Sequence, residues 1–251
     1  MEPILEPESR RESKPQPKPK PAVDVLERSD LRDAYAGLYA GVIYDALRFD
    51  LNWPRPFVVH AAVKPLWSLP RGAILFGPAF TCTGARVLDE RHVDDTVRIR
   101  MFRSFTPGCV QVIDAGGDAS VAHFGDISGR LARKFGATGA VVDGWTRDAR
   151  RLEEDRFPVF CRGAQPIDAF GRWQIVDYQQ PIALSGIEGP VPVRPGDLVY
   201  GDPDGVIVVP QDLAERVAYL ASQRLAREDE VRRALEGTDD VQSLYDRIGR
   251  W

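Results

Sequence analysis

Apolar residues recur at helical spacing from about Val23 through Leu38-Tyr39-Ala40-Gly41-Val42-Ile43-Tyr44-Asp45-Ala46-Leu47, which predicts a helix near the N-terminus. Before it, residues 1–22 mix charge with a Lys-Pro-Gln-Pro-Lys-Pro-Lys-Pro run and have little to bury, so a disordered tail is expected. After it, Pro54, Pro56, Pro65 and Pro70 cut the chain into turns and short strands. That stretch ends in Ala73–Thr83, which reads as a buried strand interrupted at Gly77-Pro78.

In the middle third, strand-like and helix-like segments alternate, the pattern of an α/β layered domain with mainly parallel strands and flanking helices. Cys109-Val110-Gln111-Val112-Ile113 reads as a strand and Asp114–Gly125 as a long loop. Ile127, Leu131 and Phe135 form the apolar stripe of a helix closed by Gly136. Ala140-Val141-Val142 is the next strand, Asp143-Gly144 a turn, and Arg147-Asp148 opens a short helical segment with Leu152. Pro158-Val159-Phe160 is the third strand. From Pro181 to Pro210, alternation and turn signals at Pro195-Gly196-Asp197 and Asp202-Pro203-Asp204-Gly205 predict antiparallel hairpins, followed by a long helix from Gln211 to about Leu235.

Composition adds bounds. The 251 residues, 43% hydrophobic and 28% charged, are enough for one large domain or two small ones, and a single domain over residues 23–251 is expected, with 211–251 as a C-terminal helical segment. A net charge of -4 disfavours a nucleic-acid surface built on bulk charge and directs attention to small molecules. Cys82, Cys109 and Cys161 have no CxxC spacing and are expected to be reduced packing residues. With no run of about eighteen apolar residues and no secretory signal core, a cytoplasmic protein without a membrane partner is expected.

Chemistry concentrates at Asp126 and, after a spacer of twenty residues, Arg147-Asp148. Two carboxylates suit a divalent cation, and a guanidinium between them supplies a planar fork for oxygen. In the predicted alternation each group follows a strand, so topology brings both to the carboxyl edge of the sheet, where open α/β folds bind ligands. The helix start at Asp126 directs the N–H groups of Ile127 and Ser128 outward for a substrate carboxylate. Gly116, Gly117 and Gly125 let backbone and ligand approach closely. The plainer alternatives are that Asp126 is a helix cap and Arg147-Asp148 a surface ion pair with a cap.

From about Ala79 to Pro210 the chain resembles the RraA-like family. The resemblance is carried by Gly77-Pro78-Ala79, Gly116-Gly117-Asp118, Phe124-Gly125-Asp126, Gly139-Ala140-Val141-Val142-Asp143-Gly144-Trp145-Thr146-Arg147-Asp148, Pro158-Val159-Phe160 and the segment Pro195–Val206. It implies a swivelling β/β/α domain assembled as trimers or hexamers, with sites at subunit boundaries. The family's aldolases, which act on 4-hydroxy-4-methyl-2-oxoglutarate and 4-carboxy-4-hydroxy-2-oxoadipate, share the acid, the twenty-residue spacer and Arg-Asp. By that resemblance Asp126 and Asp148 hold Mg²⁺ or Mn²⁺, Arg147 binds the keto and enolate oxygen, and Gly125, Ile127 and Ser128 receive the pyruvyl carboxylate of a small keto acid. A metal-linked water assisted by a neighbouring subunit's glutamate takes the hydroxyl proton, with Glu228 or Glu230 as candidates. Oxaloacetate decarboxylation would need the same enolate. A branch that modulates ribonuclease E lacks the second acid, and its non-catalytic role is the alternative. A third reading is a lyase or hydratase of another oxidised sugar or acid using the same pocket.

Some residues depart from the family pattern or invite other chemistry. Leu51–Leu69, with Trp53, Trp67, His60 and its prolines, is not the plain segment expected of simple aldolases. His123 is expected to be a packed or hydrogen-bonded histidine, and His60 and His92 to be uninvolved in catalysis. Asp202 and Asp204 are expected to be turn residues, and Trp145 either lines the pocket or packs.

Overall fold

The computed structural model describes residues 28–88, 95–237 and 240–249, so the expected tail and His92 lie outside the described residues. Two short helices come first, α1 (Arg28–Ala36) and α2 (Ala40–Asp45), the second running into a π-type turn over Ala46–Asp50. The single helix read across this region is therefore broken. Gly37 stands in the gap and Tyr39 is extended (φ -134, ψ 163), which starts a new helix at Ala40.

The strands that follow are β1 (Lys64–Pro65), β2 (Leu75–Arg86), β3 (Val110–Asp114), β4 (Ala122–Phe124), β5 (Gly139–Val142), β6 (Trp145–Thr146), β7 (Val159–Cys161), β8 (Trp173–Tyr178), β9 (Ile182–Leu184), β10 (Val191–Val193), β11 (Leu198–Asp202) and β12 (Gly205–Val209). The interleaved helices are α3 (Thr96–Arg103), α4 (Asp126–Lys134) and α5 (Ala149–Glu154), and the chain ends in α6 (Ala214–Glu236) and α7 (Val241–Ile248). The main sheet runs β1-β7-β5-β3-β2-β11-β12, with β8 also paired to β2. Its centre, β2-β3-β5-β7, is parallel, while β9-β10 and β11-β12 are the antiparallel hairpins that the turn signals predict.

β2 is not interrupted at Gly77-Pro78; it changes partners there. Leu75–Pro78 pairs antiparallel with β11, and Ala79–Thr83 pairs parallel with β3. A proline lacks the N–H a ladder would use, and it falls where one ladder gives way to the other. Gly77 is needed for a different reason: a Cβ there would stand 2.1 Å from the Gly108 carbonyl oxygen.

Both faces of the central strands are covered, which explains their near-continuous apolar runs. On one face Val110, Val112, Val141 and Phe160 pack with the β9-β10 hairpin and β12 inside the nearly closed sheet. On the other, Phe80, Ile113, Ala140 and Val142 pack under α3, α4 and α5 through Phe102, Ala132 and Leu152. A third cluster joins α1, α2 and α6 to β11 and β12 around Tyr35 and Tyr200, whose hydroxyls donate to the carbonyls of Ala214 (2.8 Å) and Leu38 (2.5 Å). The three cysteines are free and buried, as packing residues should be, and burial pushes the Cys161 thiol up to about 11. No helix among the described residues is long and apolar enough to cross a membrane.

At the end of β5 the fully buried Asp143 accepts from Arg162 Nε and Nη2, each at 2.8 Å, and from the Ser185 backbone N–H and hydroxyl, each at 2.7 Å. This saturated carboxylate ties the ends of β5 and β7 to the loop after β9 and fixes where the chain turns at Gly144.

The crowding at Gly77 gives a stability prediction. Gly77→Ala should lower unfolding stability by about 1–3 kcal/mol through overpacking. Gly37→Ala, where a Cβ meets nothing within 4 Å, should stay within about 0.5 kcal/mol of wild type in the same urea titration.

Candidate active site

Strands β4 and β6 lie outside the main sheet and pair with each other in parallel. They follow β3 and β5 in the chain, and each ends at a candidate residue: Phe124 leads through Gly125 to Asp126, and Thr146 leads directly to Arg147. The expectation that Asp126 and Arg147 emerge from the edge of the main sheet is corrected accordingly. They emerge from this two-stranded ladder, which lay within a predicted loop and between a predicted turn and a predicted helix, because strands of three and two residues carry no readable period. Arg147 N–H donates to the Phe124 carbonyl at 2.9 Å, and the Thr146 hydroxyl donates to the same oxygen at 2.9 Å.

Asp148 occupies the cap position of α5 but makes no side-chain capping bond. It adopts the left-handed conformation (φ 59, ψ 32), which costs a non-glycine residue about 1 kcal/mol or more. The backbone is thereby turned so that Oδ2 accepts from the Asp126 N–H at 3.3 Å, linking the two acids directly. Gly125 makes room for this: a Cβ there would stand 2.7 Å from Asp148 Oδ2 and 3.2 Å from Arg147 Cγ.

Asp126 is the first residue of α4, one place inside the cap Gly125, so it is not the capping residue. Its Oδ1 accepts from the Ile127 N–H at 2.8 Å. That N–H becomes available to a ligand only when the Asp126 carboxylate turns away, whereas Ser128 lines the cavity one position further along the helix. Arg130 approaches Asp126 Oδ2 at 4.0 Å while bonding Asp155 at 2.8 Å.

These groups face a cavity of about 370 Å³ whose lining includes Gly125, Asp126, Ile127, Ser128, Arg147 and Asp148. The sequence reading missed its far wall: Asp95 and Arg98 from the start of α3, and Asp168, Phe170 and Trp173 from the approach to β8. Arg147 is bracketed by carboxylates, Asp148 Oδ2 at 3.4 Å from Nε and Asp168 Oδ2 at 3.6 Å from Nη1. Asp168 sits in an irregular connection with no motif around it, so no sequence signal marked it.

His123, buried on β4, is hydrogen-bonded as expected. Its Nε2 lies 3.2 Å from Asp118 Oδ2, and its Nδ1 accepts from the Trp145 N–H at 3.4 Å, an arrangement that puts the proton on Nε2. Burial lowers its pKa below the usual histidine value, with Asp118 opposing, so the ring is neutral near pH 7. Burial acts to raise the Asp118 pKa, but hydrogen bonds from Ser120 and Arg86 outweigh it and hold it at about 2. The ring packs edge-on against Trp173, and Trp145 packs over Gly163.

Other candidates lie elsewhere. Glu228, on α6, bonds Tyr39 and Arg232 and lines a different cavity beside α2; Glu230 is exposed on the same helix. Within one chain the fold does not bring either to Asp126. Asp202 accepts from the N–H groups of Asp204 (2.8 Å) and Ala40 (2.7 Å), which makes it a turn and helix-start residue. His60 accepts from the Ala62 N–H in a local turn.

A divalent ion is tested against this donor set. Among the described residues no three His, Cys, Asp or Glu side chains form a closed metal cage. Asp126 and Asp148, side by side with exposures of 21% and 35%, instead suit a hard cation held by one or two carboxylates and completed by water, the usual mode of Mg²⁺ and Mn²⁺. Gly125 agrees with that fit, because a Cβ there would stand 2.7 Å from Asp148 Oδ2 and displace the carboxylate.

The Aldolase/RraA profile, RraA-like, matches residues 40–208. A protein of Halalkalibacterium halodurans, provisionally named 4-hydroxy-4-methyl-2-oxoglutarate aldolase, is 37% identical over 160 residues, 64% of this chain and 73% of its own. An uncharacterised Pseudomonas syringae protein superposes with a TM-score of 0.73 at 26% identity, covering 90% of this chain and 98% of that one. Streptomyces coelicolor RraAS2, described as an unusual member of the RNase ES inhibitor RraA family, superposes with a TM-score of 0.68 at 26% identity, covering 82% and 97%. With more than half of its length matched by the profile, the chain belongs to the RraA-like family.

Proposed function

We propose that the protein is a divalent-metal-dependent carbon–carbon lyase that cleaves a 4-hydroxy-2-oxo acid into pyruvate and a second carbonyl compound. The observation that carries this reading is the convergence of Asp126, Arg147 and Asp148 on one cavity at the ends of β4 and β6. A related aldolase name in Halalkalibacterium halodurans supports the class of reaction.

Asp126 and Asp148 would hold Mg²⁺ or Mn²⁺, which when bound supplies Lewis-acid polarisation of the keto group. The rest is done by the protein. The N-terminal end of α4, through Ser128 N–H and the helix dipole, orients the pyruvyl carboxylate. Arg147, paired with Asp148 at 3.4 Å and Asp168 at 3.6 Å, would offer its remaining donors to the C2 oxygen. As the C3–C4 bond breaks, the C4 hydroxyl loses its proton and becomes a carbonyl, and the bonding pair becomes the enolate of pyruvate. Charge grows on the C2 oxygen, where a fixed guanidinium is worth more to the transition state than to the ground state. Protonation at C3 completes pyruvate. Oxaloacetate, on losing CO₂, gives the same enolate and is a second substrate of this reading.

Proton removal from the C4 hydroxyl is assigned to Glu228 or Glu230 of a neighbouring copy in a trimer or hexamer. The exposed Ile127 and Phe170 at the lip, 63% and 67% accessible in one chain, are surfaces such a copy would cover.

With Mg²⁺ or Mn²⁺, purified protein is expected to release pyruvate from 4-hydroxy-2-oxo acids, and Arg147→Ala to lower kcat by about 10²–10³. Equal release by wild type and Arg147→Ala would end the proposal. Asp148→Asn should abolish metal-stimulated release, whereas a protein acting only as a ribonuclease modulator through its outer surface would keep its function in that variant.

Gly125→Ala should lower kcat/KM by more than about tenfold by displacing Asp148, with little change in the unfolding midpoint. Wild-type activity in that variant would show that the Asp126–Asp148 approach is unimportant.

A further inference from the structure

The lip of the cavity beyond Arg147 carries a carboxylate that the reaction above uses only as a brace. Asp168 belongs to the connection between β7 and β8, and that connection is held by its own backbone. Ala122 N–H donates to the Ile167 carbonyl at 2.8 Å, Trp173 N–H to the Ala169 carbonyl at 2.9 Å, and Gln165 Nε2 to the Ala119 carbonyl at 2.8 Å. Asp168 Oδ1 accepts from Phe170 N–H at 3.0 Å. Its position is therefore set by the loop, and Oδ2 is left facing Arg147 at 3.6 Å with the side chain 56% exposed.

The charges around the cavity decide what Asp168 can accept. Four carboxylates, Asp95, Asp126, Asp148 and Asp168, share the lining with two guanidinium groups, Arg98 and Arg147. Asp95 occupies Arg98 in a two-point pair, Oδ1 to Nε at 3.1 Å and Oδ2 to Nη2 at 3.0 Å. Arg147 is bracketed by Asp148 and Asp168, and in the cleavage reading it is the group that meets the keto oxygen. Within one chain, a second carboxylate at the far end of a substrate would meet Asp168 with both guanidinium groups already paired and the divalent cation held at Asp126 and Asp148. A chain of hydroxyls would instead donate to Oδ2, an acceptor with spare lone pairs.

We propose that Asp168 selects the far end of the substrate, favouring an uncharged, polyhydroxylated chain over a second carboxylate. The substrate class is then a 2-oxo-3-deoxy sugar acid, and the fragment released with pyruvate is a hydroxyaldehyde. This inference rests on the cleavage reading above and refines it. Selection works by repulsion as much as attraction, since a like charge at the lip penalises the wrong substrate.

The test compares pyruvate release, with Mg²⁺ present, from a 2-oxo-3-deoxyhexonate, from 4-hydroxy-4-methyl-2-oxoglutarate and from 4-hydroxy-2-oxobutanoate, which has neither distal feature. Wild type should favour the hexonate over the dicarboxylate by about tenfold or more in kcat/KM. Asp168→Asn should reduce that ratio by about tenfold, mainly through KM, because the amide no longer repels a carboxylate. A wild-type preference for the dicarboxylate overturns the proposal. So does a ratio unchanged in Asp168→Asn, including an equal fall on all three substrates, which would assign Asp168 only to bracing Arg147. No pyruvate from any of the three overturns the cleavage reading itself, a result distinct from a reversed preference.

Discussion

The parallel pairing of β4 with β6 is the constraint on which the site depends. Five residues in two strands set the Phe124 carbonyl against the Arg147 N–H, and that one register puts Asp126 beside Asp148. So short a ladder has little stability of its own. It is held by what surrounds it: the saturated Asp143 carboxylate that fixes the turn at Gly144, the neutral His123 that accepts from Trp145 N–H, and the Thr146 hydroxyl on Phe124. Removing one partner of a buried, hydrogen-bonded charge pair costs about 3–5 kcal/mol, so the Asp143–Arg162 pair is a firm anchor whatever its net worth.

Backbone strain is present where chemistry is proposed. Asp148 is one of four non-glycine residues with positive φ among those described, and its conformation carries its carboxylate away from the helix it precedes. The residue forgoes a cap, worth about 1 kcal/mol, to reach Asp126. A surface ion pair would have no need of that geometry, nor of a glycine at position 125 to clear space for one oxygen. Arg147 has its backbone in the β4–β6 ladder and its guanidinium between two acids.

The long-range plan was legible in the sequence because it is written in period and punctuation. β3, β5 and β7 are apolar runs buried on both faces, Leu131 and Phe135 of the expected α4 stripe pack against the core while Ile127 is exposed, and the hairpins announce their turns. That Asp126, Arg147 and Asp148 line one cavity agrees with their spacing and flanking glycines, although the strands they follow were not read. Three things were not legible. The ladder that joins the acids is shorter than any period, the break at Gly37 lies inside a continuous apolar pattern, and Gly77-Pro78 reads as an interruption although β2 only exchanges partners there. Asp168 and the Asp95–Arg98 pair come from loops and helix starts that meet only in three dimensions.

The central claim is that Asp126 and Asp148 act as one divalent-ion site, and its most direct measurement is calorimetric titration of Mn²⁺ into wild type, Asp126→Asn, Asp148→Asn and the double variant. If the two carboxylates share an ion, wild type binds one Mn²⁺ per chain, and each single change loses nearly as much affinity as the double change, the non-additivity of residues that act as a unit. Wild type without measurable binding, or single variants that bind Mn²⁺ as wild type does, would contradict it.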